Sequence, residues 1–269
     1  MDSIRGQVAV VTGGGRGIGR AVAESLAACG MSVALFARTA EQLIKAKQAC
    51  ETYGSPVLAL PVDVRDASQV KQAADLAQSV LGPVDLLVSN AGVQAALVSP
   101  WEDWFDAWWR CIEINLGGAL AVAAAVLPGM WERGRGRIVH MNSLSAMQDS
   151  GGAYSVSKAG LSRLTGVLAA VGAERGIAVF DVSPGLVRTV MTENSPPWQD
   201  LPEEAFTPMS KIVDLVTAIA TGKLDRLSGR FIHASDDLDY LVRNTDQIIK
   251  RDGRALRLRP GYDNDPLIT

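Results

Sequence analysis

Residues 7–29 read QVAVVTGGGRGIGRAVAESLAAC and join an apolar strand pattern to a helical pattern through a glycine-rich turn. The run at 7–12 is short, rich in valine and without polar alternation, which predicts a buried β-strand. Glycines let the backbone turn tightly and approach a pyrophosphate closely, and the N–H groups that begin the next helix then meet its negative charge. This stretch therefore predicts a phosphate-binding turn at the exit of the first strand.

The spacing of the glycines defines the type of turn. No register fits GxGxxG, because Gly13 and Gly15 lead to Ile18, where that pattern requires a glycine. The spacing present is TGxxxGxG, with Gly13, Gly17 and Gly19. A glycine-rich turn that binds no ligand is the alternative interpretation of this motif.

The rest of the chain repeats the alternation of apolar strands and helices. Further strands are predicted near 32–36, 56–61, 84–88, 137–141, 177–182 and 229–233. Helices are predicted near 17–29, 40–53, 66–80, 103–132, 152–174 and 209–221. Strands without polar alternation, each followed by a helix, indicate an α/β fold with a Rossmann-like, doubly wound parallel sheet of about seven strands and helices on both faces. Ligands of such sheets bind outside the carboxyl ends of the strands.

One domain accounts for most of this pattern. We expect it to span residues 1–235, and we expect residues 236–269 to form a C-terminal extension that packs on the body or on a partner subunit. Apolar residues recur at helical spacing within the extension. Asp236 and Asp237 at its start are typical of a helix cap and first-turn charges rather than of a metal pair.

The composition favours small-molecule chemistry. The 269 residues are 48% hydrophobic and 20% charged with a net charge of -3, which gives no electrostatic reason to expect a nucleic-acid or acidic-membrane partner. A strand at 7–12 leaves no room for a signal segment, so we expect a cytoplasmic protein. The longest apolar run, at 116–131, is short of a membrane span and predicts a buried helix. Cys29, Cys50 and Cys111 are scattered and predict neither a disulfide framework nor a metal site.

The tip of the second strand indicates which dinucleotide would bind. A carboxylate there would accept hydrogen bonds from a ribose 2'-hydroxyl, whereas an arginine would pair with a 2'-phosphate. The tip carries Arg38, and Arg16 lies in the glycine turn, so two cations can converge on the adenosine end and favour NADP(H). Two solvated surface arginines are the alternative.

The stretch GGAYSVSKAG at 151–160 sets Tyr154 and Lys158 four positions apart in a predicted helix. Such a pair shares one helix face and is by itself a common solvent-side arrangement. Its meaning therefore depends on the motifs around it.

Six further motifs follow the predicted strands in order and carry a resemblance to a known family. They are VDV at 62–64, SNAG at 89–92, IEINLGG at 112–118, RIVHMNS at 137–143, AYSVSKAG at 153–160 and SPGLVRT at 183–189. From about residue 5 to about residue 233, the chain resembles the short-chain dehydrogenase/reductase family. The match is to the single-domain branch with TGxxxGxG and YxxxK motifs. The resemblance implies a nicotinamide-dependent oxidoreductase that forms a homodimer or homotetramer.

The resemblance also implies a role for each catalytic residue. Tyr154 would be the general acid in carbonyl reduction, and Lys158 would favour its phenolate and bind the nicotinamide ribose. Ser143 would donate a hydrogen bond to the substrate oxygen, with Ser145 as the competing candidate. Asn115 would hold a water that links the lysine to solvent.

The cofactor would lie along the strand exits. Asp63 would contact the adenine, and Val187 and Thr189 would hold the nicotinamide carboxamide. The residues that the resemblance and the glycine turn assign to cofactor binding are Gly13, Arg16, Gly17, Ile18, Gly19, Arg38, Asp63, Val64, Asn90, Ala91, Gly92, Tyr154, Lys158, Pro184, Gly185, Val187 and Thr189.

The leading hypothesis is an NADP(H)-dependent carbonyl reductase or alcohol dehydrogenase acting on an apolar or aromatic substrate. Candidates to face that substrate are Gln94, Met147, Gln148 and Trp198. The loop between Ser143 and Tyr154 has ten residues and is shorter than is usual in the family. A non-catalytic NADP(H) sensor or scaffold, and an epimerase or dehydratase using the same site, are the alternatives.

Overall fold

The sheet of the protein is parallel throughout and follows the predicted topology. The computed structural model describes residues 4–94, 104–193, 198 and 200–257. Seven strands lie in the order β3-β2-β1-β4-β5-β6-β7. They are β1 (Val8–Thr12), β2 (Ser32–Ala37), β3 (Val57–Pro61), β4 (Val84–Ser89), β5 (Gly136–Met141), β6 (Ile177–Ser183) and β7 (Phe231–His233). The predicted doubly wound α/β fold is confirmed.

Helices cover both faces of this sheet. They are α1 (Gly17–Ala28), α2 (Ala40–Glu51), α3 (Ala67–Leu81), α4 (Trp104–Ile112), α5 (Gly118–Arg133), α6 (Gly152–Gly172), α7 (Val190–Glu193), α8 (Met209–Ala220), α9 (Leu238–Arg243) and α10 (Thr245–Lys250). The helix predicted over 103–132 is interrupted, because a π-helical segment at Glu113–Gly117 separates α4 from α5. Such π-helical segments occur frequently at functional sites.

Both faces of the strands are buried, which explains their unbroken apolar pattern. On one face Val11 and Phe180 belong to a core shared with α1 and α8, and on the other Val10 and Val179 belong to a core shared with α3 and α5. The three cysteines are free; Cys50 and Cys111 are buried, and Cys29 is partly buried.

The helical stretch Phe105–Arg133 is long and apolar enough to cross a membrane by length and composition alone. In the structure, however, α5 packs on α3 and β4 and buries Val122, Val126 and Met130 in the core. The predicted buried helix is confirmed, and its burial accounts for its apolar composition.

The described part of the C-terminal extension covers the β7 edge of the sheet. The Phe231 N–H donates to the Arg254 carbonyl at 2.7 Å, and Arg230 pairs with Asp252. Leu241 is buried against the core. The Asp237 carboxylate accepts the Tyr240 N–H and caps α9, which confirms the predicted helix cap. Covering an edge strand removes a row of unpaired backbone groups from solvent.

Candidate active site

The glycine turn after β1 is shaped by close backbone approach. Gly13 and Gly17 have φ of +64° and +56°, a region that favours glycine. A Cβ on Gly13 would lie 2.8 Å from Asn90 Nδ2, and a Cβ on Gly19 would overlap the Gly13 carbonyl. Thr12 joins the two strand exits, because its hydroxyl accepts the N–H groups of Asn90 and Ala91 at 2.9 and 3.0 Å. The turn is therefore a fixed cradle.

The start of α1 is open to an anion. Its N-cap residue is Arg16, whose side chain makes no capping hydrogen bond, and the first turn holds no acidic residue. Side chains in the described part of the chain thus leave the first helical N–H groups available. Backbone donors and a cationic side chain together fit a pyrophosphate.

A cavity of about 310 Å³ extends from this turn along the exits of β1 to β4. Predicted cofactor residues on its wall are Gly13, Arg16, Ile18, Arg38, Asp63, Val64, Asn90, Ala91, Gly92 and Thr189. Gly17 and Gly19 lie outside this lining and shape the turn instead. Arg65 forms hydrogen bonds with the Asp63 carboxylate, the shortest at 2.6 Å, and these hold the pKa of that carboxyl below its usual value.

A second cavity of about 550 Å³ continues from the first, and both are lined by Ile18, Asn90, Gly92, Thr189 and Met191. Predicted residues that line only this second cavity are Ser143, Tyr154, Lys158, Pro184, Gly185 and Val187. Of the substrate-facing candidates, Gln94, Gln148 and Trp198 line it. Met147 does not, because it points to solvent from the short turn before Gln148 and is 60% exposed.

Helix α6 places Tyr154 and Lys158 one turn apart at the second cavity. Lys158 Nζ lies 5.5 Å from the centre of the Tyr154 ring and donates to the Met141 carbonyl at 2.7 Å. Ser143, the second residue after β5, lies beside Tyr154, and its hydroxyl favours the phenolate. Its Oγ also lies 3.2 Å from Ser145 Oγ. Ser143 thus contacts the tyrosine, and Ser145 contacts Ser143.

Burial controls the titration of this pair. It raises the pKa of Tyr154 to about 12, against the opposing effect of the Ser143 hydrogen bond. It lowers the pKa of Lys158 to about 8, against the effect of Asp181, which favours the ammonium. Burial of the phenol is the largest influence on the Tyr154 pKa, and the lowering expected from Lys158 is not found.

Asn115 lies in the π-helical segment and is buried. Its Oδ1 accepts the Val93 N–H at 2.8 Å, and its Nδ2 donates to the Val93 carbonyl at 2.9 Å and to Ser157 Oγ at 3.0 Å. Its side chain does not line either of these two cavities. The side-chain amide therefore fixes the loop after β4 against α6, and its predicted role in holding a water stays a prediction.

Comparison with known proteins identifies the family. A family model described as short chain dehydrogenase matches residues 7–200. The chain belongs to the short-chain dehydrogenase/reductase family. Members of this family are oxidoreductases that use nicotinamide cofactors on small-molecule substrates. The resemblance read from the motifs is thereby confirmed.

Three relatives illustrate the similarity. The chain is 31% identical over 250 residues to the 3-oxoacyl-acyl-carrier-protein reductase of Escherichia coli strain K12, an alignment covering 89% of this chain and 100% of that protein. The structure of a levodione reductase matches with a TM-score of 0.80 at 26% identity, over 85% of this chain and 96% of that one. An NAD+-bound xylitol dehydrogenase matches with a TM-score of 0.79 at 25% identity, over 86% and 98% of the two chains.

Beneath the short-chain dehydrogenase/reductase motifs lie polar residues that the motifs did not reveal. The buried Asn142 and Asp181 and the partly buried Ser162 form a hydrogen-bonded group that reaches the backbone of Lys158. Two sequence signals could have revealed it. An acidic residue stands inside the otherwise apolar strand IAVFDVS, and Ser162 follows Lys158 by one helical turn.

Proposed function

We propose that this protein is an NADP(H)-dependent oxidoreductase that interconverts a ketone or aldehyde and an alcohol, with Tyr154 as the acid/base. The observation that carries the proposal is the convergence of Ser143, Tyr154 and Lys158 on one cavity that continues into the cleft of the glycine turn. This arrangement provides a proton donor, a hydrogen-bond donor and a cation beside the place where a nicotinamide would meet a carbonyl.

The residues of the chain divide the chemistry among them. A bound nicotinamide supplies or accepts the hydride. Ser143 donates a hydrogen bond to the carbonyl oxygen, where negative charge develops. Tyr154 delivers its proton to that oxygen, since its raised pKa of about 12 keeps the phenol protonated at neutral pH. Lys158 supplies positive charge near this oxygen and holds the ribose hydroxyls.

The wall of the second cavity supports an apolar or aromatic carbonyl as the substrate. Leu144, Leu186, Met191 and Trp198 contribute apolar surface to it. The test of the function is the initial rate of NADPH and NADH oxidation across a panel of ketones, aldehydes and quinones, with product analysis. Consumption of NADPH with formation of the alcohol supports the proposal. Binding without turnover, in either direction, would contradict it and favour a sensor, and a product of unchanged oxidation state would favour an epimerase or dehydratase.

The choice of NADP(H) over NAD(H) rests on this chain's own arginines. Arg16 and Arg38 line the cavity of the glycine turn, and the tip of β2 carries no carboxylate. Asp63 also lines that cavity, but its charge is paired with Arg65.

We expect Arg38→Glu to weaken NADPH binding by about 10- to 100-fold, because a hydrogen bond to a charged group is worth about 1.5–3 kcal/mol. NADH binding should change little, and titration of the fluorescence of each dinucleotide measures both constants. Arg251→Glu, which makes the same charge change at an exposed position away from both cavities, is the matched control. Equal weakening of NADPH and NADH would contradict the assignment of Arg38 to the 2'-phosphate.

Two exposed apolar stripes support assembly into a homodimer or homotetramer. Leu120 and Trp131 form one stripe on α5, and Val156, Val167 and Val171 form another on α6. The spacing of each set follows one helix face. Exposed apolar residues that share a helix face are typical of a contact between subunits. We also propose that the protein is located in the cytoplasm.

Val167→Asp combined with Val171→Asp should convert the assembly into monomers, because each introduced carboxylate would lose its water in the interface. Sedimentation velocity measures the result. Val80→Asp, an exposed valine on α3, is the matched control and should leave the assembly intact. An assembly that persists with both α6 carboxylates would contradict an interface on this face.

A further inference from the structure

A polar cluster lies buried under the helix that carries Tyr154 and Lys158. Asp181 is 2% exposed and occupies the centre of β6, where all seven residues are buried. Around it lie Asn142, the first residue after β5, and Ser162 and Lys158 on α6. We refer to Asp181, Asn142 and Ser162 as the Asp181 cluster. A buried carboxylate is costly unless it is paired or hydrogen-bonded, so its partners define what it does.

The hydrogen bonds of the cluster lead from Asp181 to the proposed catalytic residues. Asn142 Nδ2 donates to Asp181 Oδ1 at 2.5 Å, and Ser162 Oγ donates to Asp181 Oδ2 at 2.5 Å. The same Asn142 Nδ2 donates to the Lys158 carbonyl at 3.0 Å. Because Asp181 fixes which end of the amide is the donor, Asn142 Oδ1 is left to accept the Ser143 N–H at 2.8 Å.

Charge links Asp181 to the lysine as well. Lys158 is 5% exposed, and Asp181 is the carboxylate in the described part of the chain that favours its ammonium. The other groups that face Lys158 are Tyr154 on its own helix, Cys111 on α4 and His140 on β5. None of these supplies a carboxylate.

His140 does not replace Asp181 in this role. It is the cross-strand partner of Asp181 and is fully buried. Its Nδ1 lies 2.8 Å from Thr165 Oγ1, which itself donates to the Leu161 carbonyl. Burial lowers the pKa of His140 to about 3, so the ring stays neutral at physiological pH.

We propose that Asp181 is a positioning residue of the active site, which acts on Ser143 through Asn142 and on the Lys158 ammonium through its own negative charge. The inference rests on the proposed oxidoreductase function and adds to it a carboxylate that touches neither substrate nor cofactor. Asp181 thereby couples Ser143, in the segment that follows β5, with Lys158 on α6.

A pH window follows from this arrangement. Burial raises the pKa of Asp181 to about 6, against the hydrogen bonds from Ser162 and Asn142 and the charge of Lys158. Burial lowers the pKa of Lys158 to about 8. Carboxylate and ammonium therefore coexist between about pH 6 and pH 8, and kcat/KM for carbonyl reduction should be bell-shaped with limbs near these values.

Two variants test the proposal, because each should move a different limb of the pH profile. Asp181→Asn removes the charge, so the alkaline limb should move to lower pH by about one unit and the acid limb should disappear. Ser162→Ala keeps the charge but removes a donor to it, so the acid limb should move to higher pH while the alkaline limb stays in place. Thr165→Val is the matched control: it removes another buried hydrogen bond of α6 and should lower the melting temperature without moving either limb.

A titration independent of turnover separates this inference from the proposed function. The Lys158 side chain, labelled with 13C at Cε and assigned by loss of its signal in Lys158→Gln, should titrate at lower pH in Asp181→Asn than in the parent protein. This shift would support the inference even if no carbonyl were reduced. An unchanged Lys158 titration together with unchanged limbs in Asp181→Asn would overturn it. If that variant does not fold, an acid limb that fails to move in Ser162→Ala would overturn it as well.

Discussion

Replacing Tyr154 with phenylalanine should lower kcat for carbonyl reduction by about 10²- to 10⁴-fold, the usual contribution of a positioned proton donor. The Tyr154 phenol lines the second cavity beside Ser143 and Lys158 and carries a transferable proton. Phenylalanine keeps the ring beside the Lys158 ammonium, where the present separation is 5.5 Å. Dinucleotide binding should therefore change little while the chemical step is lost.

The direction of the reaction should respond to pH in a way that identifies the tyrosine. With a pKa raised to about 12, Tyr154 is protonated at neutral pH and is ready to act as an acid. Alcohol oxidation needs the deprotonated form as a base, so its kcat should rise as the pH increases. Single-turnover rates of carbonyl reduction and of alcohol oxidation, measured between pH 6 and 10, give the pH dependence of each direction.

Tyr53→Phe is the matched control for the loss of one phenol hydroxyl. Tyr53 is 54% exposed and lines neither cavity, so its variant should keep the full rate. If Tyr154→Phe retained kcat within about threefold, less than a positioned proton donor contributes, another group or a water would be the proton donor. The acid/base assignment would then be wrong even though the family is established.

The sheet could be predicted from sequence because its signals are local. Strands buried on both faces read as unbroken apolar runs, and the turn after β1 needs glycine at positions set by its own backbone. The family resemblance also assigned Ser143, Tyr154 and Lys158 to one catalytic site, and the structure brings all three to one cavity. The order of the motifs was therefore enough to predict the fold and the residues of the site.

The energetics of the site could not be read in the same way. The Tyr154 pKa depends on how much water reaches the phenol, and burial is the largest influence on it here. Asp181 is distant in sequence from Asn142, and only the pairing of β5 with β6 brings them together. The π-helical segment that carries Asn115, whose Oδ1 accepts the Val93 N–H, likewise has no local sequence signal. These features arise from tertiary packing.

Gly19→Ala should reduce NADPH affinity by about tenfold or more and lower the melting temperature by about 2–12 °C. Added volume in a packed region costs about 1–3 kcal/mol, and each kcal/mol lowers the melting temperature of a chain near this size by about 2–4 °C. The new Cβ would overlap the Gly13 carbonyl and Asn90 Nδ2. The two atoms cannot easily move away from the new Cβ. Asn90 Nδ2 donates to the Thr12 carbonyl at 3.0 Å, and the Gly13 backbone has a positive φ.

The loss of affinity should exceed what the loss of stability alone explains. Relief of the overlap requires the start of α1 to move away from the turn, which separates the helical N–H groups from the phosphates they would bind. Gly117→Ala is the matched control, since Gly117 is exposed, a Cβ there meets nothing within 4 Å and its φ is negative. The Gly117→Ala variant should keep the NADPH affinity and the melting temperature of the parent protein. If Gly19→Ala lost stability but bound NADPH as tightly as the parent protein, the glycine turn would serve the fold and the dinucleotide would be held elsewhere.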